Sequence, residues 1–311
     1  MAAAEEAFEP DLSVSLGGLS MANPVTVASG TFGFGREYES YLDLRKLGAI
    51  TCKGICLDAC PGNPQPRIAE VRAGMLNAIG LQGPGVNGFL RSAVPFLRKI
   101  NVPAIVNIWG KSVEEYAEVA RILSDAEGIS ALEMNVSCPN VKLGGHSFGH
   151  DPSVLSGVVS AVRAATKLPL FVKLAPNFSD ITVYARAAEE SGADGLSISN
   201  TIPAMLIDTE RRRPFLANVQ GGLSGPALHP VAVRLVWQAA AAVKIPIIGM
   251  GGIVEPVDAI EFLCAGASAV AIGTANFVDP TTALRVLDGI RDYMIRHRIK
   301  TIREISIRGE V

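Results

Sequence analysis

The sequence predicts an α/β protein built as a (β/α)8 TIM barrel, with an N-terminal β-hairpin capping the barrel bottom. Three observations point there. Eight short runs rich in Val, Ile, Leu and Ala recur along the chain, and amphipathic stretches lie between several of them. Strands alternating with helices imply a parallel sheet. The chain is 311 residues long, 49% hydrophobic and 19% charged, enough to bury one large core without staples. A doubly wound sheet of about six strands would leave two of the runs unexplained.

The elements follow in order. Residues 12–21 alternate in polarity around Gly17-Gly18 and read as the hairpin. The strands are expected at residues 25–28, 49–53, 104–108, 132–136, 170–174, 195–199, 246–249 and 269–272. Helical periodicity marks residues 113–124, 154–166, 181–191, 232–242 and 256–265. Residues 203–226 read as one long loop carrying Arg211-Arg212-Arg213, either a solvated basic patch or part of a lid. The chain reads as a single domain, 1–311.

Composition excludes several classes. The net charge of −2 leaves no general basic footprint, so no nucleic-acid partner is expected. The first ten residues carry acids and no basic cluster, so no signal peptide is expected. No apolar run reaches the ~18 residues that would span a bilayer, so no membrane partner is expected and the cytoplasm is the expected location. Five cysteines in a chain this long do not suggest a disulfide framework.

Alternate residues of a strand share a face, and the inward face of a barrel is ordinarily aliphatic. Here polar residues interrupt it. Ser29 and Lys53 end the first two strands, Asn107 lies in the third, Glu133 and Asn135 in the fourth, Lys173 in the fifth, and Ser199 and Asn200 end the sixth. All but Glu133 fall near the C-terminal rim, where barrel active sites sit. A buried charge needs compensation. Glu133 either bridges the barrel interior to a lysine or serves the site. Lys53 and Lys173 at one mouth suggest an anionic ligand, or a cofactor that turns anionic. Gly249-Met250-Gly251-Gly252 follows the seventh strand and Gly273-Thr274 the eighth. Bare backbone N–H groups there suit a phosphate.

Two motifs are rejected. Gly83-Pro84-Gly85-Val86-Asn87-Gly88 matches G-x-G-x-x-G but lacks a feeding strand and an acid about 20 residues on. Cys52, Cys56 and Cys60 fit no common iron–sulfur spacing, and no metal is expected. Cys138 is different. It stands in Asn135-Val136-Ser137-Cys138-Pro139-Asn140, ahead of a glycine-rich loop with His146 and His150. A thiol at the rim can act as base or nucleophile.

The segment Asn135 to Gly145 resembles the catalytic segment of class 1 dihydroorotate dehydrogenases. So do Ala28-Ser29-Gly30-Thr31-Phe32-Gly33, Lys53-Gly54, Asn77-Ala78-Ile79-Gly80-Leu81, Ser199-Asn200-Thr201, Gly221 to Pro226, Gly249 to Gly252, and Ile272-Gly273-Thr274. The matches run in family order from about residue 12 to the end. Val141-Lys142 and Gly144-Gly145 are most similar to class 1B, the catalytic subunit of the NAD-linked enzyme.

The resemblance implies oxidation of dihydroorotate to orotate with FMN at the barrel mouth, in pyrimidine biosynthesis. It implies FMN contacts at Ser29, Lys53, Gly54, Asn107, Asn135, Lys173, Ser199, Gly225, Gly251, Gly252, Gly273 and Thr274. Substrate contacts would be Lys53, Asn77, Ala78, Ile79, Gly80, Leu81, Asn135, Asn200 and Thr201, with Cys138 as base. The chain carries no NAD fingerprint or iron–sulfur set of its own. The resemblance implies a partner subunit with FAD and a 2Fe–2S cluster, in an assembly of two chains of each kind. Ser199 departs from the aliphatic residue expected before Asn-Thr, and the three cysteines at 52, 56 and 60 lie outside the family pattern. The alternatives are a single-subunit class 1A enzyme reducing fumarate, a Schiff-base lyase using Lys173, and a silent scaffold that binds FMN without turning over.

Overall fold

The computed structural model describes residues 8–136, 142–143, 146–147 and 151–308. Its centre is a sheet of eight strands: β1 (Val25–Val27), β2 (Ile50–Ile55), β3 (Ala104–Ile108), β4 (Ala131–Asn135), β5 (Leu170–Leu174), β6 (Gly195–Ile198), β7 (Ile247–Met250) and β8 (Ala269–Ile272). All its ladders are parallel, in the order β1-β8-β7-β6-β5-β4-β3-β2. The two ends of that order meet. Gly48 N–H donates to Val25 O at 2.9 Å. Thr26 Oγ1 donates to Ala49 O at 2.9 Å and lies 3.2 Å from Thr51 Oγ1. The (β/α)8 barrel is therefore closed at its seam by side-chain and loop bonds.

Helices follow the strands. Gly85–Ser92 and Val94–Ile100 come after β2, Val113–Ser124 after β3, Pro152–Ala165 after β4 and Ile181–Glu190 after β5. His229–Ala242 follows β6, Pro256–Cys264 β7, and Thr282–His297 β8. Caps set several starts. Ser112, Asp151 and Asp180 accept from backbone N–H groups two or three residues on. The fourth helix starts two residues earlier than its apolar periodicity indicates. Asp151 caps it and Pro152 occupies its first position, where a missing N–H costs nothing.

The hairpin Val14–Leu16 with Leu19–Met21 forms as expected. Leu16, Leu19 and Met21 cluster with Ala49, Ile105, Ala131, Phe171 and Ala269, which lie at or just ahead of the starting ends of strands. The hairpin thus plugs the bottom, and each of these three side chains contributes about 1.5–3 kcal/mol on full burial.

Residues 203–226 are not one loop. Ile202–Ala204 and Gly221–Ser224 join Gly74–Asn77 and Ile68–Val71 in a four-stranded antiparallel sheet, and Ile207–Asp208 pairs with Arg213–Pro214. These strands are two to four residues long and hold Gly and Pro. Their pairing is non-local, so the sequence carries no alternation long enough to reveal them. Arg211 is exposed and bonds Asp208 at 3.3 Å. Gly83 to Gly88 enters a helix from an isolated bridge, Cys60 with Gly83, rather than from a strand of the barrel. No helix among the described residues is long and apolar enough to cross a membrane.

Candidate active site at the barrel mouth

Inward positions change character from bottom to top. On β3 the inward residue Ile105 is followed by Asn107, on β4 Ala131 by Glu133 and Asn135, and on β5 Phe171 by Lys173. Glu133 and Lys173 are almost wholly buried. Glu133 Oε1 accepts from Asn107 Nδ2 at 2.7 Å and from Lys173 Nζ at 3.4 Å. Lys173 Nζ also donates to Ser29 Oγ at 3.0 Å. The carboxylate that the sequence left open is thus paired with Lys173, and Asn107 and Ser29 satisfy the rest of the network. Charges this deep need such partners.

Lys53 stands apart. It forms no ion pair among the described residues, and burial, with Arg67 nearby, pulls its ammonium below the ordinary lysine pKa. With Lys173 balanced by Glu133, Lys53 supplies the surplus positive charge. The ladder between β2 and β3 shifts register between Cys52 and Ile55, the stretch that holds Lys53 and Gly54.

The amides cluster. Asn200 Nδ2 donates to Asn135 Oδ1 at 3.2 Å, and Asn200 Oδ1 accepts from Thr201 N–H at 2.7 Å. Tyr116, a residue the sequence did not single out, donates its hydroxyl to Asn135 O at 2.6 Å and anchors the end of β4. Asn77 Nδ2 donates to Gly222 O at 3.4 Å, tying the four-stranded sheet together. The following stretch is held by Asn63 and Arg67. Ala78 N–H donates to Arg67 O at 2.8 Å, Ala78 O accepts Asn63 Nδ2 at 2.9 Å, and Ile79 O accepts Asn63 N–H at 2.9 Å. Gly80 O accepts the Cys60 thiol, and Leu81 has φ 55°.

The glycines after β7 take backbone conformations that other residues rarely adopt. Gly251 and Gly252 have φ of 138° and 67°, and a β-carbon on Gly252 would lie 2.8 Å from Gly225 O. His229 Nδ1 bonds Gly251 O at 3.1 Å while Nε2 meets Glu261 at 2.7 Å, so Gly251 is fastened to the start of helix His229–Ala242. On the β8 side, Thr274 Oγ1 donates to Ser224 Oγ at 2.7 Å. A β-carbon on Gly273 would meet only Ala28, at 3.5 Å. Buried Ser199 Oγ and Trp109 Nε1 have no hydrogen-bond partner among the described residues.

Cys138 lies outside the described residues, as do the side chains of His146 and His150. Cys52 and Cys56 are buried in the core. Burial pushes the Cys52 and Cys56 thiols up to about 12, so neither offers a thiolate. No group of His, Cys, Asp and Glu among the described residues could hold a metal ion.

The fold is that of a barrel enzyme, with buried charges, amides and glycines gathered at the C-terminal mouth where barrel active sites sit. The dihydroorotate dehydrogenase family model matches residues 11–294. Relatives include dihydroorotate dehydrogenase B (NAD(+)), catalytic subunit, of Pelobacter propionicus, 51% identical over 96% of this chain and 98% of its own. The proteins of the same description from Trichlorobacter lovleyi and Alkaliphilus metalliredigens are 53% and 52% identical, each over 95% of this chain and 97% of their own. The chain belongs to the dihydroorotate dehydrogenase family.

Proposed function

We propose that this chain is the catalytic subunit of an NAD-linked dihydroorotate dehydrogenase, oxidising (S)-dihydroorotate to orotate for pyrimidine biosynthesis in the cytoplasm, through FMN bound in one barrel domain. The observation that carries the reading is the buried Asn107–Glu133–Lys173–Ser29 network beside the Asn135–Asn200 pair, in a member of this family.

The donor set fits FMN. Unpaired Ser199 Oγ, the open face of Gly273 and the positive-φ glycines Gly251 and Gly252, whose backbone packs too closely for a side chain, suit a flavin and its phosphate. Ser29, Lys53, Gly54, Asn107, Asn135, Lys173, Ser199, Gly225 and Thr274 would complete its contacts. FMN supplies the hydride acceptor for C6 of the substrate. Lys173 would hold positive charge beside a bound flavin and favour the electron density its ring gains on reduction. Asn135, Asn200 and Thr201 offer donors and acceptors to the amide edges of a pyrimidine, with the Asn77 to Leu81 stretch covering it. Lys53, a cation with no ion pair among the described residues, would take the substrate carboxylate. Cys138 is assigned the C5 proton, which is acidified by its neighbouring carbonyl and within reach of a thiol of pKa ~8.5.

Electrons leave through a partner subunit carrying FAD and a 2Fe–2S cluster, two chains of each kind making the assembly. The test is anaerobic mixing of the flavin-loaded chain with dihydroorotate. Bleaching of the yellow band is expected. A colourless protein, or a flavin that dihydroorotate leaves oxidised, would overturn the reading.

A further inference from the structure

Trp109 is a large polar-tipped side chain that the catalytic reading does not use. It follows β3 directly, two positions beyond Asn107, and belongs to the large apolar cluster that also holds Ile55, Ile108 and Tyr116. It is 5% exposed, and its indole Nε1 has no hydrogen-bond partner among the described residues. Its backbone N–H is held by Ile55 O at 2.9 Å, so the ring is carried on two adjoining strands. A β-carbon placed on Gly54 would lie 2.9 Å from Asn107 Oδ1, 3.2 Å from Trp109 Cδ1 and 3.7 Å from Trp109 Nε1. The N–H edge of the indole therefore borders the space that Gly54 keeps clear beside Asn107. Buried indoles ordinarily find an acceptor, and leaving a buried donor unmade is costly.

We propose that the Trp109 indole N–H is a ligand donor of the mouth, binding a carbonyl or carboxylate oxygen of the ring system seated beside Gly54 and Asn107. The inference rests on the flavin-and-pyrimidine reading above. The oxygen belongs to the flavin or to the pyrimidine, and the acceptor chemistry is the same.

Indole N–H groups give separate nitrogen–proton NMR signals, and the sequence holds only one other tryptophan, Trp237. Trp237 lies on helix His229–Ala242 with Arg308 stacked on its ring at 5.3 Å, so a Trp237→Phe variant assigns the Trp109 signal. The full chain, stripped of flavin, is titrated with FMN and then with orotate. The Trp109 signal is expected to move, and its exchange with water to slow roughly tenfold, in one of the two steps. That step names the acceptor. Trp109→Phe is expected to weaken the same ligand about tenfold while the flavin-free variant melts no lower than the parent, since no existing bond is lost. A signal unmoved in both steps, with flavin visibly bound, overturns the inference and leaves the functional reading standing. Failure of FMN to bind overturns both.

Discussion

Lys173 reaches Ser29 across the full width of the barrel. The two residues are 144 positions apart, Lys173 on β5 and Ser29 two residues past the end of β1, strands opposite each other in the sheet order, yet Nζ lies 3.0 Å from Oγ. The same Nζ is 3.4 Å from Glu133, so one ammonium joins three strands beneath the mouth.

That arrangement makes the stability of the flavin-free protein depend on charge balance. Lys173→Met should cost about 3–5 kcal/mol, because Glu133 keeps its charge with only Asn107 to solvate it. Lys173→Met combined with Glu133→Gln should recover most of the loss. Denaturant titration of the two variants distinguishes the cases. Equal losses would mean that shape, rather than the stranded carboxylate, is responsible.

Cys138→Ala should retain FMN and bleach far more slowly with dihydroorotate. Cys138→Ser should bleach slowly too, with its rate rising only at higher pH, because a hydroxyl is a much weaker acid than a thiol of pKa ~8.5. Stopped-flow flavin absorbance across pH reads both effects. A serine variant with the parent's pH profile would remove Cys138 from proton transfer.

The barrel was legible because its eight strands are apolar and its helices periodic, and the mouth was legible because Asn107, Glu133, Asn135 and Lys173 break the aliphatic face of three strands. Alternation could say that Glu133 was buried, but the choice of Lys173 over Lys53 as its partner depends on where β2 and β5 stand around the barrel. The four-stranded sheet was invisible because it joins residues 68–77 to residues 202–224, through strands too short to show a period. Trp109 was not singled out from the sequence. Its place two positions beyond Asn107 was the available signal.

Lys53 should make the stability of the flavin-free protein depend on pH. Burial and Arg67 hold its folded pKa below the ordinary lysine value of 10.5. The unfolded chain therefore binds more protons between those two values, and stability rises with pH across that window. Below the folded value the full cost of burying the ammonium applies. Lys53→Met should be more stable than the parent at neutral pH, with the advantage shrinking as pH climbs toward about 10.5. Thermal melts of both proteins over this range measure the difference. A gap that stays constant with pH would show that the methionine acts through packing alone.

Gly54→Ala separates crowding of the mouth from damage to the fold. The residue ends no turn and its φ lies outside the left-handed region, so alanine meets no backbone strain there. Its β-carbon would instead press on Asn107 Oδ1 at 2.9 Å and on the Trp109 ring at 3.2 Å. Asn107 is not free to retreat, because its Nδ2 is bound to Glu133 at 2.7 Å. The strain must appear as a displaced amide or a displaced indole, both bordering the proposed flavin site. Affinity for FMN should fall by about tenfold or more, while the melting temperature without flavin drops by only a few degrees, the scale of about 1 kcal/mol in a domain of this size. Fluorescence titration of FMN and a melt of the same preparation test the split. Unchanged flavin affinity would mean that the space beside Gly54 is not where the ligand sits.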